Sequence, residues 1–132
     1  MGLGISSACP CGGGRYQHCC APFHRGEQRP ATPEQLMRSR YSAFALGLAA
    51  YLEATHAGGG PVTIDPQLRW LGLKVLHSSA TTPTDVEGTV RFIARYRAGG
   101  RDGQLREHSL FQRRGGRRDG DWLYIRALDA PE

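Results

Sequence analysis

Beyond residue 20 this 132-residue chain contains no cysteine, so no disulfide can brace its main body. Lysine is almost as scarce: Lys74 stands alone among 17 basic residues, the rest being arginine. Twelve acidic residues leave a net charge of +5, which suits an acidic partner or an arginine-rich solvated surface. No apolar run approaches the ~18 residues that a membrane-spanning helix requires, so no membrane association is expected. Residues 1–8 carry neither a basic start nor a long apolar stretch. No secretory leader is therefore expected, and the reducing cytoplasm is the expected compartment. Recognisable catalytic patterns are missing too: there is no Ser-His-Asp order, no paired-carboxylate motif and no phosphate loop. The run Gly12–Gly14 is too short a signal to read as a phosphate cradle. What remains, 39% hydrophobic and 22% charged residues, fits one globular domain with a small appendage, large enough to bury a core.

All four cysteines lie in one stretch, CPCGGGRYQHCC, residues 9–20. Three chemistries compete for it. Disulfides are disfavoured in a reducing compartment, and Cys19 and Cys20 are adjacent, so a bond between them closes a strained ring. A catalytic thiol needs one activated cysteine and a base, for which His18 is placed, yet four thiols exceed that task. Metal binding uses all four: thiolates surround one Zn²⁺ tetrahedrally at roughly 2.3 Å. Pro10 fixes the turn between Cys9 and Cys11, and Gly12 to Gly14 let backbone N–H groups approach the sulfurs. One zinc ion held by Cys9, Cys11, Cys19 and Cys20 is the favoured reading, with His18 and His24 as substitute ligands. Closed four-sulfur sites are structural rather than catalytic. Four cysteines beside three glycines are not expected to be core residues.

The remainder reads as helices followed by strands. Residues 23–31 form a polar connector. Thr32-Pro33-Glu34-Gln35 is a helix start, with threonine as cap, proline at the first helical position and Gln35 reaching back. Met37, Tyr41, Phe44 and Leu48 then share one helical face, and Gly47 introduces a break before a short second helix with Leu48, Tyr51 and Leu52. Gly58-Gly59-Gly60-Pro61 stops it, and Asp65-Pro66 suggests one further turn. Afterwards the period changes to two. Strands are expected over 70–78, with Leu71, Leu73 and Val75 on one face, and over 86–97, 105–113 and 121–126. The third places Leu105, Glu107, Ser109 and Phe111 together. Turn-rich connections make the strands sequential antiparallel neighbours, an α+β layout.

CPCGGGRYQHCC resembles the SEC-C motif, a small zinc element also found at the C-terminus of the preprotein translocase motor SecA. Between Cys11 and Cys19 it is one residue shorter than the usual motif. LMRSRYSAF and the E-x-S-x-F of Glu107, Ser109 and Phe111 resemble the YchJ-like family of small bacterial proteins, and the similarity runs along nearly the whole chain. The resemblance implies a flexible N-terminus over 1–8, a zinc motif over 9–22 and, over 23–132, a nuclear-transport-factor-two-like cone in which a curved sheet wraps the helices. It implies no reaction.

Such a cone leaves a pocket at its open end, for which Arg40, Tyr41, His56, Trp70, Glu107 and Ser109 are the candidates. Glu107 alternates with apolar residues, so it is expected to point inward, where a carboxylate needs a partner. A structural Glu107–Arg40 pair is the leading expectation; a small-ligand pocket and a general base are the others. His56 fits the negative end of a helix, and His77 and His108 are expected on the surface. The resemblance to SecA suggests another protein, or the ribosome, as a partner for the zinc knuckle. Arg15, Tyr16, Gln17 and His18, between the ligands, are the expected contact surface. A weaker possibility is nucleic acid at the basic turn of Arg113, Arg114, Arg117 and Arg118, which lacks interleaved stacking aromatics.

Overall fold

The computed structural model describes residues 7–80 and 82–128. For residues 1–6 the expectation of a loose N-terminus lies outside the described residues. Ala8 is tied down: it pairs with Arg15, and the carbonyl of Ser7 accepts the Tyr16 N–H at 2.9 Å. After a 3₁₀ turn at Tyr16–His18 come helices α1 (Ala21–His24), α2 (Pro33–Leu46) and α3 (Ala49–Ala54), then strands β1 (Leu68–Ser78), β2 (Glu87–Ala98), β3 (Arg101–Arg113) and β4 (Trp122–Ala127).

Helix α2 starts where its local chemistry dictates. Thr32 Oγ1 accepts the Gln35 N–H at 3.1 Å, and Gln35 Oε1 accepts the Ala31 N–H at 2.7 Å. These bonds satisfy donors that the first turn would leave without partners. The helix ends at Gly47, whose φ of 76° is the left-handed turn that glycine tolerates best. That turn removes Leu48 from the α2 stripe and makes it the residue preceding α3. Asp65-Pro66 produces a turn rather than a helix: Asp65 Oδ1 accepts the Gln67 N–H at 2.9 Å.

The strands form one antiparallel sheet in the order β1-β2-β3-β4. Strands β2 and β3 run further toward each other than their sequences suggest. Gly99 (φ 58°) and Gly100 (φ 79°) form the whole connection, the positive-φ pair that a two-residue hairpin requires. In β1 the expected face is wrong at one end. A bulge between Trp70 and Gly72 adds a residue, so Trp70 joins Leu73 and Val75 against the core while Leu71 is 39% exposed.

α2 lies in the curve of the sheet. Met37 and Tyr41 face β1 and β2, where the Tyr41 and Trp70 rings meet edge to face, 5.7 Å apart. Leu36, Ser39, Ser42 and Ala43 are buried as well. α2 is thus covered on two sides, by the sheet and by the cysteine segment. Cys9, Cys11 and Cys20 are continuous with the hydrophobic core, which corrects the expectation that the cysteines stand outside it. Among the described residues no helix is long and apolar enough to cross a membrane.

Candidate functional site

The four Sγ atoms of Cys9, Cys11, Cys19 and Cys20 all lie within 4.8 Å of one another, and no disulfide joins them. Cys11 Sγ is 3.4 Å from Cys19 Sγ and 3.8 Å from Cys20 Sγ, and Cys19 and Cys20 sulfurs are 4.0 Å apart. A tetrahedron of sulfurs at the zinc–thiolate distance has an edge of roughly 3.8 Å, so the donor set fits one metal ion closely. The fold of the segment explains the convergence. The carbonyl of Cys9 accepts the Gly12 N–H (3.0 Å) and the Cys9 N–H donates to Gly14 O (2.7 Å), closing a tight loop. Gly13 lies against the sulfurs: a Cβ there would meet Cys19 Sγ at 3.0 Å and Cys11 Sγ at 3.3 Å.

Electrostatics agree with a cation site. Hydrogen bonds, first from Cys11 and then from Cys20, hold the Cys9 thiol well below its usual range. Burial, followed by the bond with Cys11, pushes Cys19 up to about 12. The bond with Cys11 is the first cause that pushes Cys20 up. Sulfurs this close compete to carry negative charge, and a divalent cation removes that competition.

Three ties lock the segment onto α2. Ser42 donates its hydroxyl to Cys20 Sγ (3.3 Å), and the same oxygen lies 3.4 Å from Cys9 Sγ. Arg38 Nη1 donates to the carbonyl of Cys11 (3.0 Å), while its Nε donates to Glu34 (2.9 Å). His24 Nε2 donates to the carbonyl of Ser39 (2.8 Å), leaving Nδ1 to accept from the Tyr16 hydroxyl (2.7 Å). Burial lowers the His24 pKa, which favours this neutral form. His24 is therefore a strut and not a ligand, and the His18 ring nitrogen is engaged by the Gln17 amide at 2.9 Å.

These contacts divide the expected partner surface. Arg15 and His18 are exposed, whereas Tyr16 is half-buried, turned inward and packed against the cysteine core. Tyr16 belongs to the scaffold, because its hydroxyl has a buried partner to satisfy.

The second feature is a cavity of about 330 Å³ at the open end of the cone. Arg40, Tyr41, Trp70, Glu107 and Ser109 line it as expected, together with Met37, Phe44, Phe92, Leu105, Phe111 and Tyr124. His56 does not line it. It bridges to Tyr124 from outside, and its Nδ1 accepts the Gly58 N–H at 3.2 Å.

The expected Glu107–Arg40 ion pair is not formed; among the described residues no ion pair within 4.0 Å joins them. Tyr124, which the sequence reading overlooked, takes up both. Its hydroxyl donates to Glu107 Oε2 (3.0 Å), where Ser109 also donates (2.6 Å), and the Arg40 guanidinium lies 4.9 Å from its ring centroid. Arg40 Nη1 donates to the carbonyl of Leu52 (2.9 Å) and to Thr55 Oγ1 (2.6 Å), anchoring α2 to α3. Burial brings the Arg40 pKa down to about 10, and the residue stays charged at neutral pH.

The basic turn is largely occupied. The Arg113 guanidinium lies 4.6 Å from the Trp122 ring centroid and donates to the carbonyls of Asp85 (2.8 Å) and Gly120 (3.0 Å). Arg117 pairs with Asp119 at 3.2 Å, while Arg114 and Arg118 are exposed and have no such pairing among the described residues. His77 is exposed and His108 half-buried on the outer face of the sheet.

Comparisons with known proteins agree with this architecture. A family model described as the YchJ middle NTF2-like domain matches residues 32–127. A UPF0225 protein of Ralstonia nicotianae is 47% identical over 131 residues, which cover 91% of this chain and 90% of that one. A UPF0225 protein of Streptomyces coelicolor is 42% identical over 120 residues, covering 88% and 90%. The solution structure of a SEC-C motif containing protein from Rhodopseudomonas palustris is similar with a TM-score of 0.75 at 32% identity, covering 95% of this chain and 100% of that one. The crystal structure of a SEC-C motif containing protein from Psychrobacter arcticus gives 0.77 at 25% identity, covering 97% and 87%. An N-terminal cluster of four cysteines and an NTF2-like cone matched over most of its length make this chain a member of the YchJ-like family of bacterial proteins.

Proposed function

We propose that the protein holds one structural zinc ion at Cys9, Cys11, Cys19 and Cys20, and that its function resides in the cone, which binds a small and largely apolar molecule. The single observation that carries the second half is the cavity of about 330 Å³, walled by aromatic rings, into which Arg40, Glu107, Ser109 and Tyr124 converge. Apolar walls with a few converging polar groups are the usual composition of a ligand site, and this volume is at the small end of their range. The zinc half rests on sulfur geometry and on resemblance to the SEC-C motif. Four thiolates leave no open coordination position, so the metal would supply folding energy and no chemistry. The cytoplasm suits it, because reduced thiols are what the metal requires. Native mass spectrometry of the purified protein tests both halves in one spectrum. One zinc per chain and a retained small molecule, or a melting temperature raised by a metabolite mixture, are expected. A protein indifferent to every compound in a broad metabolite set contradicts the ligand reading.

A second reading has its own observation. Arg15 and His18 flank the cysteine cluster, and both are exposed. The knuckle can thus present a rigid contact for another protein or the ribosome. Reversing Arg15 to Glu and replacing His18 by Ala, with Tyr16 left intact, should then abolish co-sedimentation with ribosomes or capture of the partner without releasing metal. Unchanged capture rules this surface out.

A further inference from the structure

Arg40 is the one charged residue among those buried in the described structure, at 8% exposure. An interior cation normally has a carboxylate beside it. Here none lies within 4.0 Å. The two bonds the guanidinium makes both use Nη1, on Leu52 and Thr55. Nε and Nη2 have no partner among the described residues. Neither is fully enclosed, because among the described residues every fully enclosed side-chain nitrogen or oxygen has a hydrogen-bond partner. Arg40 itself lines the cavity, and these two donors are the part of its guanidinium left for a ligand there.

Nε and Nη2 together are the side-on fork of an arginine, two parallel donors spaced to match the two oxygens of one carboxylate. This protein uses that fork elsewhere. Arg97 sets Nε and Nη2 on the two oxygens of Asp102 at 2.7 and 3.5 Å, and Arg117 does so on Asp119 at 3.2 Å each. At Arg40 the same fork is presented from a buried side chain, with nothing among the described residues to fill it. The space before it is walled by Tyr41, Phe44, Trp70, Phe92 and Phe111. Glu107 supplies the remaining polar feature. Its Oε2 is occupied by Ser109 and Tyr124, while Oε1 has no donor among the described residues, and Glu107 is one of the residues lining the cavity.

On the reading that the cone is a ligand site, we infer that its ligand is a small apolar monocarboxylic acid bound as the carboxylate. The acid group occupies the Arg40 fork, and the apolar body lies among the aromatic rings. A hydroxyl or N–H on that body reaches Glu107 Oε1. The negative charge of Glu107 makes a second carboxylate on the ligand unfavourable, which sets monoacids apart from diacids.

The test uses the full-length, metal-loaded protein and calorimetric titration with matched pairs: phenylacetate and phenylacetamide, 4-hydroxyphenylacetate and its amide, hexanoate and hexanamide. Each acid should bind more tightly than its amide, by roughly ten- to a hundredfold, since a charge-assisted forked contact is exchanged for a neutral one. Arg40→Lys keeps the charge and loses the fork, so it should erase most of that preference. If this variant does not fold, the acid-to-amide ratio of the unaltered protein decides alone. Amides that bind as well as their acids overturn the carboxylate assignment while leaving the cone as a ligand site. Failure of acids and amides alike overturns both.

Discussion

Ser42, on α2, donates its hydroxyl to Cys20 Sγ across 3.3 Å, so the cysteine cluster is bonded directly to the main helix of the cone. Outer hydrogen bonds of this kind orient metal ligands and tune their basicity. Ser42→Ala should weaken zinc binding by roughly ten- to a hundredfold, as read by competition with a chelator. The fold should persist, with an unchanged far-ultraviolet spectrum at saturating zinc. Unaltered zinc affinity would show that Ser42 merely fills space.

Gly13→Ala probes the room around the sulfurs. The added Cβ meets Cys19 Sγ at 3.0 Å, so the loop must shift or the tetrahedron must open. Faster zinc loss to a chelator is expected. Gly13 is the cleaner position for this test, because Gly12 and Gly14 have φ of +83° and +130°, where any side chain is strained regardless of space.

Tyr124 should be the last tyrosine to ionise, together with Tyr51. Burial first, and then the charge of Glu107, push Tyr124 up to about 12; burial pushes Tyr51 to about 12. Between the ordinary value of 10 and 12, the unfolded chain loses these protons before the folded one does. Stability is therefore full below pH 10 and falls as pH rises toward 12. Ultraviolet titration of tyrosinate checks this. Tyr124→Phe should remove one late-titrating group and cost about 1 kcal/mol for the lost bond to Glu107.

Arg113 and Arg118 are close in sequence and opposite in consequence. Arg113→Ala removes a guanidinium stacked on Trp122 and the donors to the loop carbonyls of Asp85 and Gly120, so about 1–3 kcal/mol of stability should be lost. Arg118→Ala, at an exposed tip, should leave the melting temperature unchanged. A fall in affinity for duplex DNA or RNA at ~50 mM salt on changing Arg114 and Arg118 together would revive a nucleic-acid role for the turn.

How far the sequence reaches is visible in particular residues. Thr32, Pro33 and Gln35 announced the start of α2 because capping is local chemistry, complete within four residues. The convergence of the four cysteines is legible because they lie within twelve residues around a proline and three glycines, so the loop itself brings their sulfurs together. Leu71, expected on the core face with Leu73 and Val75, faces outward because a bulge is decided by the partner strand; Gly72, isolated in a strand pattern, is its one local sign. Ser42 escaped notice because the Met37 and Tyr41 stripe looks one-sided, while α2 is buried on two sides. Tyr124 could be placed beside Trp122 on β4 by alternation. That it separates Arg40 from Glu107 follows from register: the step between Leu110 and Phe111 brings Tyr124 opposite Phe111.

X-ray absorption at the zinc edge of the purified protein tests most directly the zinc site proposed at Cys9, Cys11, Cys19 and Cys20. One zinc per chain with four sulfur neighbours at about 2.3 Å, and no nitrogen or oxygen neighbour, is the expected spectrum. A metal-free native protein with disulfide-bonded cysteines, or a zinc carrying a water or histidine in place of one sulfur, would contradict it.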